Sequence, residues 1–241
     1  MGFADSIWSD PIEYLRAVGP NDPVLFMSPA ALQAQARRFQ SGFPGLVTFA
    51  VKSNPEEAVI TNLVAAGIHA FDVASPEEIA LIRRLDPDAA LHYNNPVRAR
   101  HEIVFAVGRD VASYSVDSLS ELDKLFAMVP VTRENGETVE ITARFKLPVA
   151  GATYDFGAKF GATEELATEI LRRVAARGYI PSLTFHPGTQ CVDPQAWASY
   201  IRAAGRIADA AGVRIHRLNV GGGFPSHRLQ ICDLAATITG I

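Results

Sequence analysis

The sequence has 241 residues, with Lys plus Arg 22 against Asp plus Glu 26 and a net charge of −4. That balance excludes a surface built to displace counterions from nucleic acid, which needs a clustered basic excess. At 48% apolar and 20% charged residues, the composition is that of a folded protein rather than a disordered one.

The length suits a single α/β barrel of about 250 residues. Two cysteines, Cys191 and Cys232, are too few for a disulfide framework and have no metal-ligand spacing. The N-terminus has no basic n-region followed by an apolar h-region, and no run approaches the ~18 apolar residues of a membrane span. The expectation is a soluble, cytoplasmic protein without metal, membrane or nucleic-acid partners.

In chain order, residues 1–43 form an N-terminal extension, in which Val24-Leu25-Phe26-Met27 predicts a strand and residues 30–39 a helix. From Pro44 onward, short β-branched or aromatic runs alternate with longer segments of helical period, the pattern of βαβ units in a parallel sheet. Strands are predicted over 46–51, 70–74, 90–94, 112–116, 140–145, 182–186 and 217–220. Between them, Ser75-Pro76-Glu77-Glu78 places a capping Ser, a Pro at the first helical position and a Glu at the third, so each end of the box satisfies an orphan donor. Ser118-Leu119-Ser120-Glu121 repeats the box. Leu166, Ile170 and Val174 lie four apart on one helical face over 164–177, and Gly178 supplies a left-handed stop. These amphipathic helices are expected to cover the sheet of a barrel spanning 44–241.

Chemistry in such a barrel gathers at the carboxyl ends of the strands, where the most distinctive residues fall. Lys52 follows the first predicted strand, Asp72 lies near the end of the second, and Asn94-Asn95-Pro96 closes the third. Arg144 ends the fifth, His186 the sixth and Gly221-Gly222-Gly223 the seventh. Each has two readings. Lys52 is a solvated loop lysine, or a partly desolvated amine that attacks a carbonyl to form a Schiff base. The three glycines are a tight turn, or a nest whose N–H groups surround a phosphate; they lack the spacing of a dinucleotide or Walker A loop. His186 is a satisfied core histidine or a ring that stacks on an aromatic cofactor, with Thr189 offering a hydroxyl to a phosphate. Asp72 and Glu78 are ordinary acids at a helix start or charge balance for cations in the mouth. Arg144 is a strand-end charge, or a cation that lowers the lysine pKa and supports an anionic cofactor. Together on one rim they suggest pyridoxal phosphate.

The stretches Phe49-Ala50-Val51-Lys52-Ser53-Asn54, Phe71-Asp72-Val73-Ala74-Ser75 with Glu78, Tyr93-Asn94-Asn95-Pro96, Lys159-Phe160-Gly161, Phe185-His186-Pro187-Gly188-Thr189-Gln190 and Asn219-Val220-Gly221-Gly222-Gly223-Phe224-Pro225 resemble the ornithine/lysine/diaminopimelate/arginine decarboxylases. That pyridoxal-phosphate family has the alanine-racemase-like fold. The resemblance covers roughly residues 23–241 and implies a TIM-type (β/α)8 barrel. By resemblance, Lys52 carries the cofactor and His186 stacks on its ring. Asp72, Glu78 and Arg144 set the charge around the lysine, and Thr189, Gly221, Gly222 and Gly223 hold the phosphate. The implied activity is decarboxylation of a basic amino acid to a di- or polyamine, with Tyr93-Asn94-Asn95-Pro96 leaning towards ornithine or lysine. A homodimer or a complementing chain is the implied partner.

The family pattern continues into an eighth strand bearing Glu-Pro-Gly-Arg and a β domain that supplies a cysteine proton donor. Neither is present, and Cys191 and Cys232 do not match that cysteine. The chain is accordingly expected to lack the last strand and the β domain, as part of a longer polypeptide before a chain completed by a second one or a degenerate relative, and on its own to bind pyridoxal phosphate weakly at most and not to turn over. Two alternatives stand beside this reading: a non-catalytic cofactor-binding or regulatory homologue, and an amino acid racemase of the same fold.

Overall fold

A computed structural model describes residues 7–147, 160–189 and 191–224. Its strands are β1 (Phe49–Ala50), β2 (Ala70–Val73), β3 (Ala90–Tyr93), β4 (Ser113–Val116), β5 (Glu140–Arg144), β6 (Ile180–Thr184) and β7 (Leu218–Asn219). They form one sheet in sequence order, every neighbouring pair parallel. All seven predicted strands are present, most of them trimmed by a residue or more. The helices are α1 (Pro11–Val18), α2 (Pro29–Gly42), α3 (Glu57–Ala65), α4 (Pro76–Leu85), α5 (Arg100–Val107), α6 (Leu119–Met128), α7 (Glu164–Ala176) and α8 (Pro194–Ala211).

The caps operate largely as their sequences dictate. Ser75 Oγ accepts from the Glu78 N–H at 3.3 Å and Ser118 Oγ from that of Glu121 at 3.3 Å. Glu78, however, closes its box one residue further back, where Oε2 accepts from the Ala74 N–H at 2.7 Å. Gly178 adopts φ +82° after α7.

Registered partners share a face, and the two faces differ in kind. Asp72, His92, Ser113 and Glu140 form one continuous row. Above it lie Ser115, Thr142 and Ser182, and then Arg144, Thr184 and Asn219. The alternate residues Phe71, Val73, Leu91, Tyr114, Val116, Ile141 and Leu183 are buried and join one core with the helices, through side chains such as Ile79, Leu122 and Ile170. Parallel strands usually read as unbroken apolar runs; here a polar inner face opposes an apolar outer one. The sheet is strongly curled. Arg217, just before β7, reaches His92 on β3 at 2.9 Å, whereas four strand spacings of about 4.8 Å would hold these strands apart in a flat sheet. The described part is a partial barrel of seven strands with helices outside.

The predicted strand over 24–27 is corrected. Among the described residues these four form no strand, and Leu25 is 87% exposed. Apolar, β-compatible residues make a strand only where a partner offers a ladder, and none of the described strands pairs with this run. Phe26 instead packs edge-on against Tyr14 of α1, with centroids 5.5 Å apart. That helix went unread in the sequence although Asp10 caps it, accepting from the Glu13 N–H at 2.9 Å, with Pro11 at its first turn and Gly19 at its end.

No described helix is long and apolar enough to cross a membrane, and the described residues hold no His/Cys/Asp/Glu group able to bind a metal. Lys159, Gln190, Pro225 and Cys232 lie outside the described residues.

Candidate cofactor site

Lys52 sits in a 3-10 turn (Val51–Ser53) at the carboxyl end of β1. The Asn54 N–H bonds the Val51 carbonyl at 3.1 Å and the Ser53 hydroxyl bonds the Ala50 carbonyl at 2.7 Å, which fixes the turn. The lysine is exposed rather than desolvated.

Beside it, on β2, Asp72 is half-buried. Thr48 Oγ1 donates to Oδ2 at 3.1 Å and Asn94 Nδ2 to Oδ1 at 2.7 Å. Burial pushes its pKa up to about 6 against the opposing pull of Thr48, Arg217, Asn94 and Lys52. Glu78, at the start of α4, is likewise raised by burial, opposed by the Ala74 N–H and by Lys52.

Across the rim, Arg144 is the last residue of β5, its guanidinium 5.2 Å from the centre of the Phe160 ring. Burial lowers its pKa and the charge of Asp117 opposes that. His186, two residues beyond β6, falls to about 4, through burial first and then the charges of Arg144 and Lys52. Its imidazole is therefore neutral at neutral pH. Nδ1 accepts from the Gly188 N–H at 3.1 Å, which assigns the ring proton to Nε2.

The glycines after β7 lie against the segment after β6. Gly221 and Gly223 have φ of +72° and +78°. A Cβ on Gly221 would sit 2.3 Å from the Phe185 carbonyl oxygen, and one on Gly223 1.8 Å from that of Gly188. Asn219 Oδ1 accepts from the Gly221 N–H at 2.8 Å, and the Cys191 N–H donates to the Gly223 carbonyl at 2.9 Å. A Cβ on Gly222 would lie 3.6 Å from His186 Nε2, so this loop lines the histidine edge. The close approach makes it a tight turn, and the same lack of side chains leaves backbone open as a cradle. Thr189 is exposed in the turn beyond Gly188.

The structure thus draws together Lys52, Asp72, Glu78, Arg144 and His186, coupled through their charges. Gly221, Gly222 and Gly223 adjoin them through His186. Sequence reasoning gave no role to Thr48 and Asn94, the partners of Asp72, nor to Asp117, whose Oδ2 accepts from the Gly161 N–H at 3.0 Å. Asn94 carried a signal, a polar side chain at a strand end; Thr48, inside the predicted strand over 46–51 and just before the observed β1, carried none.

An amine, a neutral imidazole and a half-buried guanidinium thus stand beside a Cβ-free loop on the rim of a parallel partial barrel. Comparison with known proteins gives the family. The model for the pyridoxal binding domain of pyridoxal-dependent decarboxylases matches residues 30–238, and the chain belongs to that family, with pyridoxal phosphate as its cofactor. A lysine/ornithine decarboxylase of Selenomonas ruminantium is 30% identical over 203 residues, covering 81% of this chain and 49% of that protein. The chain thus spans about half the length of that relative. A crystal structure of lysine decarboxylase from Selenomonas ruminantium superposes with a TM-score of 0.81 at 25% identity, over 98% of this chain and 63% of that one. An SrLDC mutant in complex with PLP does so with a TM-score of 0.83 at 25% identity, over 98% and 62%.

Proposed function

We propose that this chain is the cofactor-binding barrel of a decarboxylase acting on a basic amino acid, ornithine or lysine before arginine or diaminopimelate, and forming a diamine. The observation that carries the reading is the place of Lys52, in the turn at the carboxyl end of β1, on the same end of the parallel sheet as Asp72 and Glu78 of the β2–α4 segment and His186 after β6. Names of relatives support the substrate class: the lysine/ornithine decarboxylase above and a mouse ornithine decarboxylase, 30% identical over 194 residues.

Bound pyridoxal phosphate supplies an electron sink for the pair left behind when a carboxylate departs as CO2. Lys52 would provide the amine that holds it. Asp72 and Glu78 balance the Lys52 charge. Neutral His186 offers a flat, uncharged ring face, and Arg144 holds positive charge at the rim for an anionic ligand. Thr189 and the glycine backbone hold the phosphate. Residues 44–241 form the cofactor barrel, residues 1–43 are an extension, and the protein works as a homodimer or with a complementing chain.

The test is release of labelled CO2 from carboxyl-labelled ornithine, lysine, arginine and diaminopimelate by the protein expressed from its own gene and loaded with pyridoxal phosphate. Release chiefly from ornithine or lysine is expected. Cofactor bound at Lys52 with no CO2 from any of the four would overturn the decarboxylase, and loss of optical rotation without CO2 would make it a racemase.

A further inference from the structure

Beneath the rim lies an ionic cluster that the proposed chemistry does not use. Arg217 donates from Nε to Glu140 Oε1 at 3.1 Å and from Nη2 to Oε2 at 2.6 Å, a bidentate fork. Its Nη1 and Nη2 lie 2.9 Å from His92 Nε2 and Nδ1 respectively. A hydrogen bond in the ring plane reaches only one of these nitrogens, so the guanidinium lies across the imidazole face. Ser113 Oγ is 2.8 Å from His92 Nδ1 and 3.3 Å from Arg217 Nη2. Burial and Arg217 together push the His92 pKa down to about 3, leaving it neutral.

His92 is the registered neighbour of Asp72. The imidazole on which the guanidinium lies is therefore carried by the strand next to the one that carries Asp72. The groups facing Asp72 are Thr48 and Asn94, which donate to it, neutral His92, and the two cations Lys52 and Arg217. Glu140 is at the far end of the row, beyond Ser113.

We propose that Arg217 is a positioning residue, which reaches across the barrel interior to His92 and Glu140 and holds Asp72 as the carboxylate that faces Lys52. This rests on the reading of Lys52 as the cofactor attachment point. The fork to Glu140 aims the guanidinium, the neutral His92 face holds it beside the strand next to β2, and its charge opposes the burial that would protonate Asp72.

The experiment is a carbon NMR titration of Asp72 in protein with carboxyl-labelled aspartate, assigned by its loss in Asp72→Asn, alongside pyridoxal phosphate affinity read by visible absorbance. In Arg217→Met the Asp72 midpoint is expected to rise by about one pH unit or more. Affinity falls at neutral pH and returns when the pH is taken above the new midpoint, a recovery that mere loss of packing would not show. Glu140→Gln keeps the cation, and the midpoint does not rise. Should Arg217→Met fail to fold because Glu140 is left buried and unpaired, Arg217→Met/Glu140→Met removes both charges and shows the same rise. An unchanged Asp72 midpoint in a folded variant lacking the cation overturns the inference. Cofactor failing to attach at Lys52 in the parent protein overturns the functional reading instead, while the titration still decides the role of Arg217.

Discussion

Asp72 carries a cost that its position explains. Its side chain is charged at neutral pH, yet burial holds its pKa at about 6, above the ~3.9 of an unfolded aspartate. The folded state therefore binds a proton more tightly than the unfolded state, and Asp72 costs stability increasingly as pH rises from about 4 to about 6. In the protein without cofactor, Asp72→Asn should gain about 1–2 kcal/mol at pH 7, after discounting for partial exposure. The gain should vanish below about pH 4. Urea denaturation across pH measures it, and a loss of stability at pH 7 would show that the carboxylate is net stabilising. At this scale the sequence showed which residue types stand at the strand ends. It did not show that Thr48 and Asn94 donate to Asp72, because those contacts bridge strands 22 and 24 residues apart.

At the scale of the element, α4 ties stability to the site. Its cap Ser75 and its third residue Glu78 hold one another's turn in place, Ser75 Oγ accepting from Glu78 and Glu78 accepting from Ala74. Ser75→Ala should cost about 1 kcal/mol and also weaken cofactor binding, since Glu78 loses its fixed approach to Lys52. Ser118→Ala, the corresponding cap on α6, should cost as much and leave the affinity unchanged. Thermal unfolding and a cofactor titration check the pair, and equal affinity losses would separate Glu78 from the site. The caps of α4 and α6 and the stop of α7 were legible because they depend on residues three or four apart, whereas the equally local cap of α1 went unread. The strand over 24–27 was misread because pairing depends on a distant partner. The polar inner face is carried by Ser113-Tyr114-Ser115-Val116 and Glu140-Ile141-Thr142-Ala143-Arg144, whose period of two assigns alternate residues to opposite faces.

Over the whole molecule, parallel pairing in sequence order brings residues as far apart as Lys52 and Gly223 to one rim. Motif order along the chain therefore translated directly into a site. Curling did not: Arg217 meets His92 across 125 positions of sequence, and only the curl of the sheet makes them neighbours. The central claim is that this rim binds pyridoxal phosphate through Lys52. It is tested most directly by adding the cofactor, reducing with borohydride and mapping the modified peptide by mass spectrometry. The expected result is a pyridoxyl group on Lys52, absent from Lys52→Ala. A colourless protein with unmodified Lys52, or modification confined to Lys124, Lys146 or Lys159, would contradict it.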